Sequence, residues 1–113
     1  MEYKVALTRQ ADHDLIRIWR FIAKDNSSAA TSFCLELARH AYALKNLPNR
    51  TSELPFRPGI RKIPYKNYLI FYRIKDESRT VEILRFWHTA TDQGRLRLKE
   101  EASQPYEAVK VGA

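Results

Sequence analysis

Tyr68-Leu69-Ile70-Phe71-Tyr72-Arg73-Ile74-Lys75, then Asp76-Glu77-Ser78, then Thr80-Val81-Glu82-Ile83-Leu84-Arg85-Phe86-Trp87-His88 is the stretch on which the fold turns. Both long runs are rich in aromatic and β-branched residues, which suit a pleated, half-buried surface. The polar insert between them is a tight-turn signal, so the pair reads as an antiparallel hairpin. Parity places Tyr68, Ile70, Tyr72 and Ile74 on one face, and Leu69, Phe71, Arg73 and Lys75 on the other. On the last strand it groups Val81, Ile83, Arg85 and Trp87 against Glu82, Leu84, Phe86 and His88. Neither strand is cleanly amphipathic, so both faces of the sheet centre are expected to be at least half covered. Whether Arg73 and Arg85 share a side depends on register, which parity leaves open.

Working outward, residues 60–65 form a short strand candidate interrupted by Pro64, which suits an edge or a strand end. Residues 47–58 hold Pro48, Pro55 and Pro58 and read as an irregular loop closed by Gly59. Before it, Ala30, Phe33, Cys34, Leu37, Ala41 and Leu44 recur at helical spacing. Ser27 or Ser28 can cap that helix, and Pro48 ends it near Asn46. An earlier helix over 9–24 carries Ala11, Leu15, Ile18, Trp19 and Ile22 on one stripe. Thr8 is its N-cap, and Asp12 and Asp14 place negative charge in its early turns. Trp19 and Phe33 are expected in the core. Residues 3–7 alternate Tyr3, Val5 and Leu7 against Lys4 and Ala6, a first strand.

The order is β-α-α-β-β-β, an α+β fold. Two helices joined by a short turn form an antiparallel hairpin whose apolar stripes must be buried on one face of a small, mainly antiparallel sheet. The first strand returns to that sheet, and its other face is left for solvent or a partner. Residues 1–92 make the domain; 93–113 are a C-terminal extension, with a short helix over 95–102 and a loosely held tail over 105–113.

A chain of 113 residues fits one domain, and 44% hydrophobic with 29% charged residues describes neither a membrane protein nor a disordered one. No apolar run approaches the roughly 18–20 residues of a membrane helix, and the N-terminus lacks an apolar signal core. A cytoplasmic protein with no membrane partner is expected. Three glycines exclude a Gly-rich phosphate loop, and the single Cys34 excludes an intrachain disulfide. His13, His40, His88 and Cys34 have no metal-ligand spacing, and no nucleophile–base pair can be argued. No metal or other cofactor is implied. The net charge is +7, and all of it falls in residues 50–99, where twelve Lys and Arg face five acids. Such asymmetry points to a basic surface built by the sheet half and to an anionic partner.

Each candidate has two readings. Arg61 and Lys62 enter the sheet together, either as a solvated edge that deters strand pairing or as part of a basic groove. Arg85 either lays its stem along the sheet or presents its planar fork to a phosphate or carboxylate. His88 either bonds the turn that follows it or acts in catalysis. Trp87 is packed or held out for a partner. Cys34 reads as a small buried hydrophobe, and His13 and His40 as helix-surface residues.

The chain resembles the ParE branch of the ParE/RelE toxins of bacterial type II toxin–antitoxin systems. The resembling stretches are Ala11-Asp12-His13-Asp14-Leu15-Ile16-Arg17-Ile18-Trp19, Leu44-Lys45-Asn46-Leu47-Pro48, Arg57-Pro58-Gly59-Ile60-Arg61, and the two strands quoted above; in order and spacing they span residues 3–92. The resemblance implies a helix hairpin on a sheet, an antitoxin partner that wraps the toxin, and growth inhibition when the toxin is unrestrained. RelE-like members cut mRNA on the ribosome; ParE-like members block DNA gyrase. RelE-like enzymes carry an arginine after the tyrosine early in the third strand, where this chain has Leu69. They also carry basic residues after the last strand, where it has His88-Thr89-Ala90-Thr91-Asp92. The first expectation is therefore a gyrase inhibitor, with Arg57, Arg61, Lys62, Arg73, Arg85, Trp87, Arg95 and Arg97 as partner-binding residues. A ribosome-dependent endoribonuclease would use Arg61, Arg85 and His88 as catalytic groups. A non-toxic nucleic-acid-binding module is the third reading.

Overall fold

The computed structural model describes residues 2–90. Arg95, Arg97, the helix expected over 95–102 and the tail over 105–113 lie outside the described residues.

The elements are β1 (Lys4–Leu7), α1 (Arg9–Ala23), α2 (Ser27–Tyr42), β2 (Glu53–Leu54), β3 (Arg57–Tyr65), β4 (Tyr68–Lys75) and β5 (Thr80–His88), with a single 3-10 turn at Ala43–Lys45 after α2. Thr8 caps α1 as expected, its hydroxyl accepting from the Ala11 N–H at 3.3 Å. The cap of α2 is Asn26 rather than a serine: its Oδ1 accepts from the Ala29 N–H at 2.9 Å, and Ser27 becomes the first helical residue. An amide at an extended position reaches that N–H as well as a hydroxyl does.

The strands lie in the order β1-β5-β4-β3-β2. The three long strands form the expected antiparallel meander, and β1 pairs parallel with β5, from Lys4 opposite Thr80 to Leu7 opposite Ile83. The sheet is thus mixed. The loop expected over 47–58 contains a two-residue strand, β2, too short for any periodicity to announce. Gly59, at φ +86°, belongs to β3 rather than ending a loop, and its N–H donates to Glu53 Oε1 at 3.0 Å. That left-handed backbone suits glycine and accompanies the register shift between Glu53 and Leu54. Pro64 sits inside β3 opposite Leu69. Pairing with β2 reaches only Arg61, so β3 has an open edge where the proline lies.

One face of the sheet packs on the helices. Ile63, Ile70, Tyr72, Val81, Ile83 and Phe86 meet Ala11, Ile18, Leu37 and Ala41 in a single core, joined by Leu7 and Leu44. Tyr72 is fully buried, and its hydroxyl donates to Pro48 O at 2.6 Å. That uses its one proton, so the Thr51 hydroxyl at 2.8 Å is the donor to it, and the loop before β2 is tied to the sheet. Phe33 is half-buried, its ring centre 6.1 Å from that of Tyr65 and 5.6 Å from that of Tyr68. Trp19 is not core: it is 38% exposed at the seam of the helix hairpin, where its ring N–H finds the Thr31 hydroxyl at 3.1 Å. A buried indole N–H needs an acceptor, and the seam supplies one at the surface.

Parity on β5 breaks in its middle. Tyr72 faces Ile83 and Phe71 faces Arg85, so Leu84 is an extra residue, a β-bulge. Before it Val81 and Ile83 face the helices; after it Phe86 does. Arg85 and Trp87 therefore join Glu82 and Leu84 on the other face, not Val81 and Ile83 as strict alternation predicts. Arg73 and Arg85 end on the same side.

Burial lifts the pKa of the Cys34 thiol above its ordinary 9.0 and that of the Tyr68 hydroxyl above 10.0; at Tyr3 the bond to Asp76 does so first. The native state holds these protons more tightly than the unfolded chain does. Their contribution is whole below about pH 9 and is lost as pH rises through the raised values. The thermal midpoint should fall from about pH 9 upward, first through Cys34. Differential scanning calorimetry of Cys34→Ala checks this: the variant should lose the earliest part of the fall, and an identical profile would refute it.

Candidate functional site

The face turned away from the helices has an apolar floor of Ile60, Leu69, Phe71 and Leu84, with Leu54 and Trp87 packed at its margin. The floor itself is closed to solvent, so what the face offers a partner is its rim. Register places Lys62 beside Phe71, Arg73 beside Ile60, and Lys75 and Arg85 on the same side. Glu82, fully buried, is the acid among them. Arg73 holds its Oε1 from Nη2 at 2.9 Å and from Nε at 3.3 Å, and Lys75 lies 3.5 Å from Oε2. One carboxylate thus aligns two cations whose outer parts remain accessible.

At the end of β5 the face meets α1. Asp14 is 4% exposed and takes Arg85 in a two-point grip, Nε to Oδ2 at 2.7 Å and Nη2 to Oδ1 at 3.0 Å. The Phe86 N–H donates to the same Oδ2 at 3.0 Å. The Arg85 guanidinium carbon also lies 4.5 Å from the Trp87 ring centre. Planar fork, carboxylate and indole thereby hold one another. Beside them, Ile18, Phe21, Tyr68 and His88 help line a cleft of about 380 Å³. The Asp14 role was hidden in the sequence, where the residue reads as a favourable charge near a helix N-terminus. Its signal is only that it follows Thr8 at a distance placing it on the side of α1 toward β5.

Of the three residues named for ribonuclease chemistry, Arg85 and His88 line the same cleft, and Arg61 lies apart from it. Arg61 sits opposite Tyr72, on the helix side of the sheet, and its guanidinium donates to the Thr51 carbonyl and lies 3.7 Å from Glu53. Arg85 is on the opposite face, held by Asp14. His88 is exposed; its Nδ1 accepts from the Ala90 N–H at 3.0 Å, and its ring meets Tyr68 edge-on at 5.1 Å. Of the partner-binding candidates, Lys62, Arg73, Arg85 and Trp87 share the open face, Arg57 lies opposite Leu54, and Arg61 is on the other side. Cys34 is half-buried with Sγ 3.8 Å from the Leu15 carbonyl, and its raised pKa keeps the thiol protonated near neutrality. Among the described residues no group of His, Cys, Asp and Glu could hold a metal ion, and no helix is long and apolar enough to cross a membrane.

A β-strand, a helix hairpin and an antiparallel meander with the first strand beside the last define the RelE/ParE-like fold of small toxins. The family described as "ParE toxin of type II toxin-antitoxin system, parDE" matches residues 5–93, and the chain belongs to it. The chromosomal ParDE system of P. aeruginosa is similar in structure, with a TM-score of 0.66 at 20% identity over 77% of this chain and 96% of that one. The RelBE2 toxin–antitoxin complex of Mycobacterium tuberculosis follows at 0.60 and 28% identity, over 80% and 95%. A mutant of E. coli RelE toxin in the free state gives 0.53 at 19%, over 80% and 86%. No curated protein matches the sequence.

Removing Asp14 leaves a largely buried guanidinium and an edge N–H without their acceptor, so Asp14→Ala should cost about 3 kcal/mol of stability. Asp14→Asn keeps an acceptor for Phe86 and should cost less. In a double-mutant cycle by urea denaturation, Asp14→Ala with Arg85→Ala should lose less than the sum of the single variants; additivity would show that the pair is not coupled.

Proposed function

We propose that this ParE-family toxin inhibits DNA gyrase by binding it through the cationic rim of the open sheet face, and that a cognate antitoxin neutralises it by covering the same rim. The observation that carries the reading is that Arg61 lies apart from the cleft lined by Arg85 and His88, and that Asp14 already holds the Arg85 guanidinium there. Stabilising a phosphorane needs preorganised donors converging on one position. Here both guanidiniums are committed to internal partners, Arg61 to Thr51 and Glu53 and Arg85 to Asp14, and Arg61 is outside the cleft. Leu69 on the floor, where a RelE-like ribonuclease would have arginine, supports the same conclusion. Binding a protein or its DNA asks only for an accessible cationic rim, which Lys62, Arg73 and Lys75 provide with the half-buried Trp87. That a RelBE2 toxin has been solved with its antitoxin supports an antitoxin partner here. The positive field of the face would speed its encounter with an acidic chain, and added salt would slow it.

Purified toxin should inhibit supercoiling by gyrase or trap cleaved DNA, and Lys62→Glu should weaken that inhibition. Arg61→Ala with His88→Ala should leave growth arrest intact. Undisturbed supercoiling at saturating toxin would contradict the reading. Codon-linked cuts in translated mRNA, abolished by the Arg61 and His88 changes, would favour the ribonuclease instead.

A further inference from the structure

Helix α1 carries a second basic surface that composition conceals. Residues outside 50–99 are neutral in sum, yet on α1 the two signs are segregated. Both acids, Asp12 and Asp14, are buried, while Arg9, His13, Arg17, Arg20 and Lys24 are all exposed. At 3.6 residues per turn these five project within an arc of about 80°, along about 22 Å of helix. Ile16, 42% exposed, and Phe21, 70% exposed, stand at the two margins of that arc rather than in it. His13, Ile16, Arg17 and Arg20 line a shallow groove of about 370 Å³ along the stripe. Arg17 leans toward Asp14 at 3.9 Å but keeps 75% of its side chain in solvent.

We infer that this face of α1 is a docking surface for the phosphate backbone of duplex DNA. A protein partner would want an apolar centre with a polar rim; the stripe has the reverse order. A membrane surface would want an apolar helix face to insert, and the apolar face of α1 is spent on the sheet. Single strands are gripped by aromatic platforms, and the arc contains none. A rod with a charge every 1.7 Å of its axis fits the straight row of Arg9, Arg17, Arg20 and Lys24. The inference is independent of the gyrase reading, since it concerns DNA alone and a different face.

The test is fluorescence anisotropy of a labelled 20-base-pair DNA duplex with the full chain and no gyrase, over a range of salt. The duplex should bind, and Arg17→Glu with Arg20→Glu should weaken binding by roughly tenfold or more and flatten the log–log salt slope by about 2. Arg17→Lys with Arg20→Lys should bind nearly as the parent does, and an unchanged thermal midpoint shows that the reversed variant is folded. Arg50→Glu, exposed in the loop before β2 and on neither basic surface, should leave the slope alone. The inference is overturned if Lys62→Glu on the sheet rim flattens the slope and the α1 pair does not. It is equally overturned if an RNA duplex, anionic vesicles or polyglutamate bind as tightly as DNA. Supercoiling assays on the same variants keep the two readings apart, because gyrase inhibition can fail while DNA binding stands, and the reverse.

Discussion

β1 stops at Leu7 while β5 runs on to His88, so the second half of β5 has no strand on one side. The edge does not stay open. The chain turns at Thr8, whose N–H donates to Ile83 O at 3.0 Å, and whose hydroxyl proton lies between the carbonyls of Ile83 and Leu84. From there α1 runs beside β5, and Asp14 offers its carboxylate to the Phe86 N–H and the Arg85 guanidinium. A helix thus closes a strand edge with one carboxylate, where an exposed edge would invite another chain to pair. Charge-assisted bonds in a buried setting give this contact its weight.

The bulge at Leu84 belongs to the same arrangement. It comes directly after the last residue paired with β1, and it turns Arg85 and Trp87 to the open face while Phe86 returns to the core. Without it, Arg85 and Trp87 would point into the helix layer, where a guanidinium would displace apolar packing. The face that gathers Lys62, Arg73 and Lys75 is therefore assembled by an irregularity in one strand and anchored from a helix.

Much of this could be read beforehand. The two aromatic runs with their turn, the apolar spacing of both helices and the Thr8 cap all identify their elements, because burial and capping leave periodic marks. What could not be read is where periodicity is interrupted or where a pair is long-range. No glycine marks the bulge at Leu84, so alternation carried Arg85 and Trp87 to the wrong face. Asp14 and Arg85 are far apart in sequence, and the charge of Asp14 has a sufficient local explanation in its helix. β2 is too short to alternate, and the Trp19 side chain lies where two helices meet, a position helical spacing alone does not distinguish from the core. Net charge misled in one further way: a neutral sum over the residues outside 50–99 hid, on α1, acids turned inward and cations turned out.

The two basic surfaces have different structures, one a sheet rim around Glu82 and Trp87, the other a helix stripe without an apolar centre. Both depend on α1 being seated against β5 by Asp14. The most direct measurement of that seating is native-state hydrogen exchange at the Phe86 amide. If Asp14 closes the edge, this amide exchanges as slowly as those of the central β4–β5 ladder, such as Tyr72 and Ile83. Exchange at the rate of a free strand edge would contradict the account.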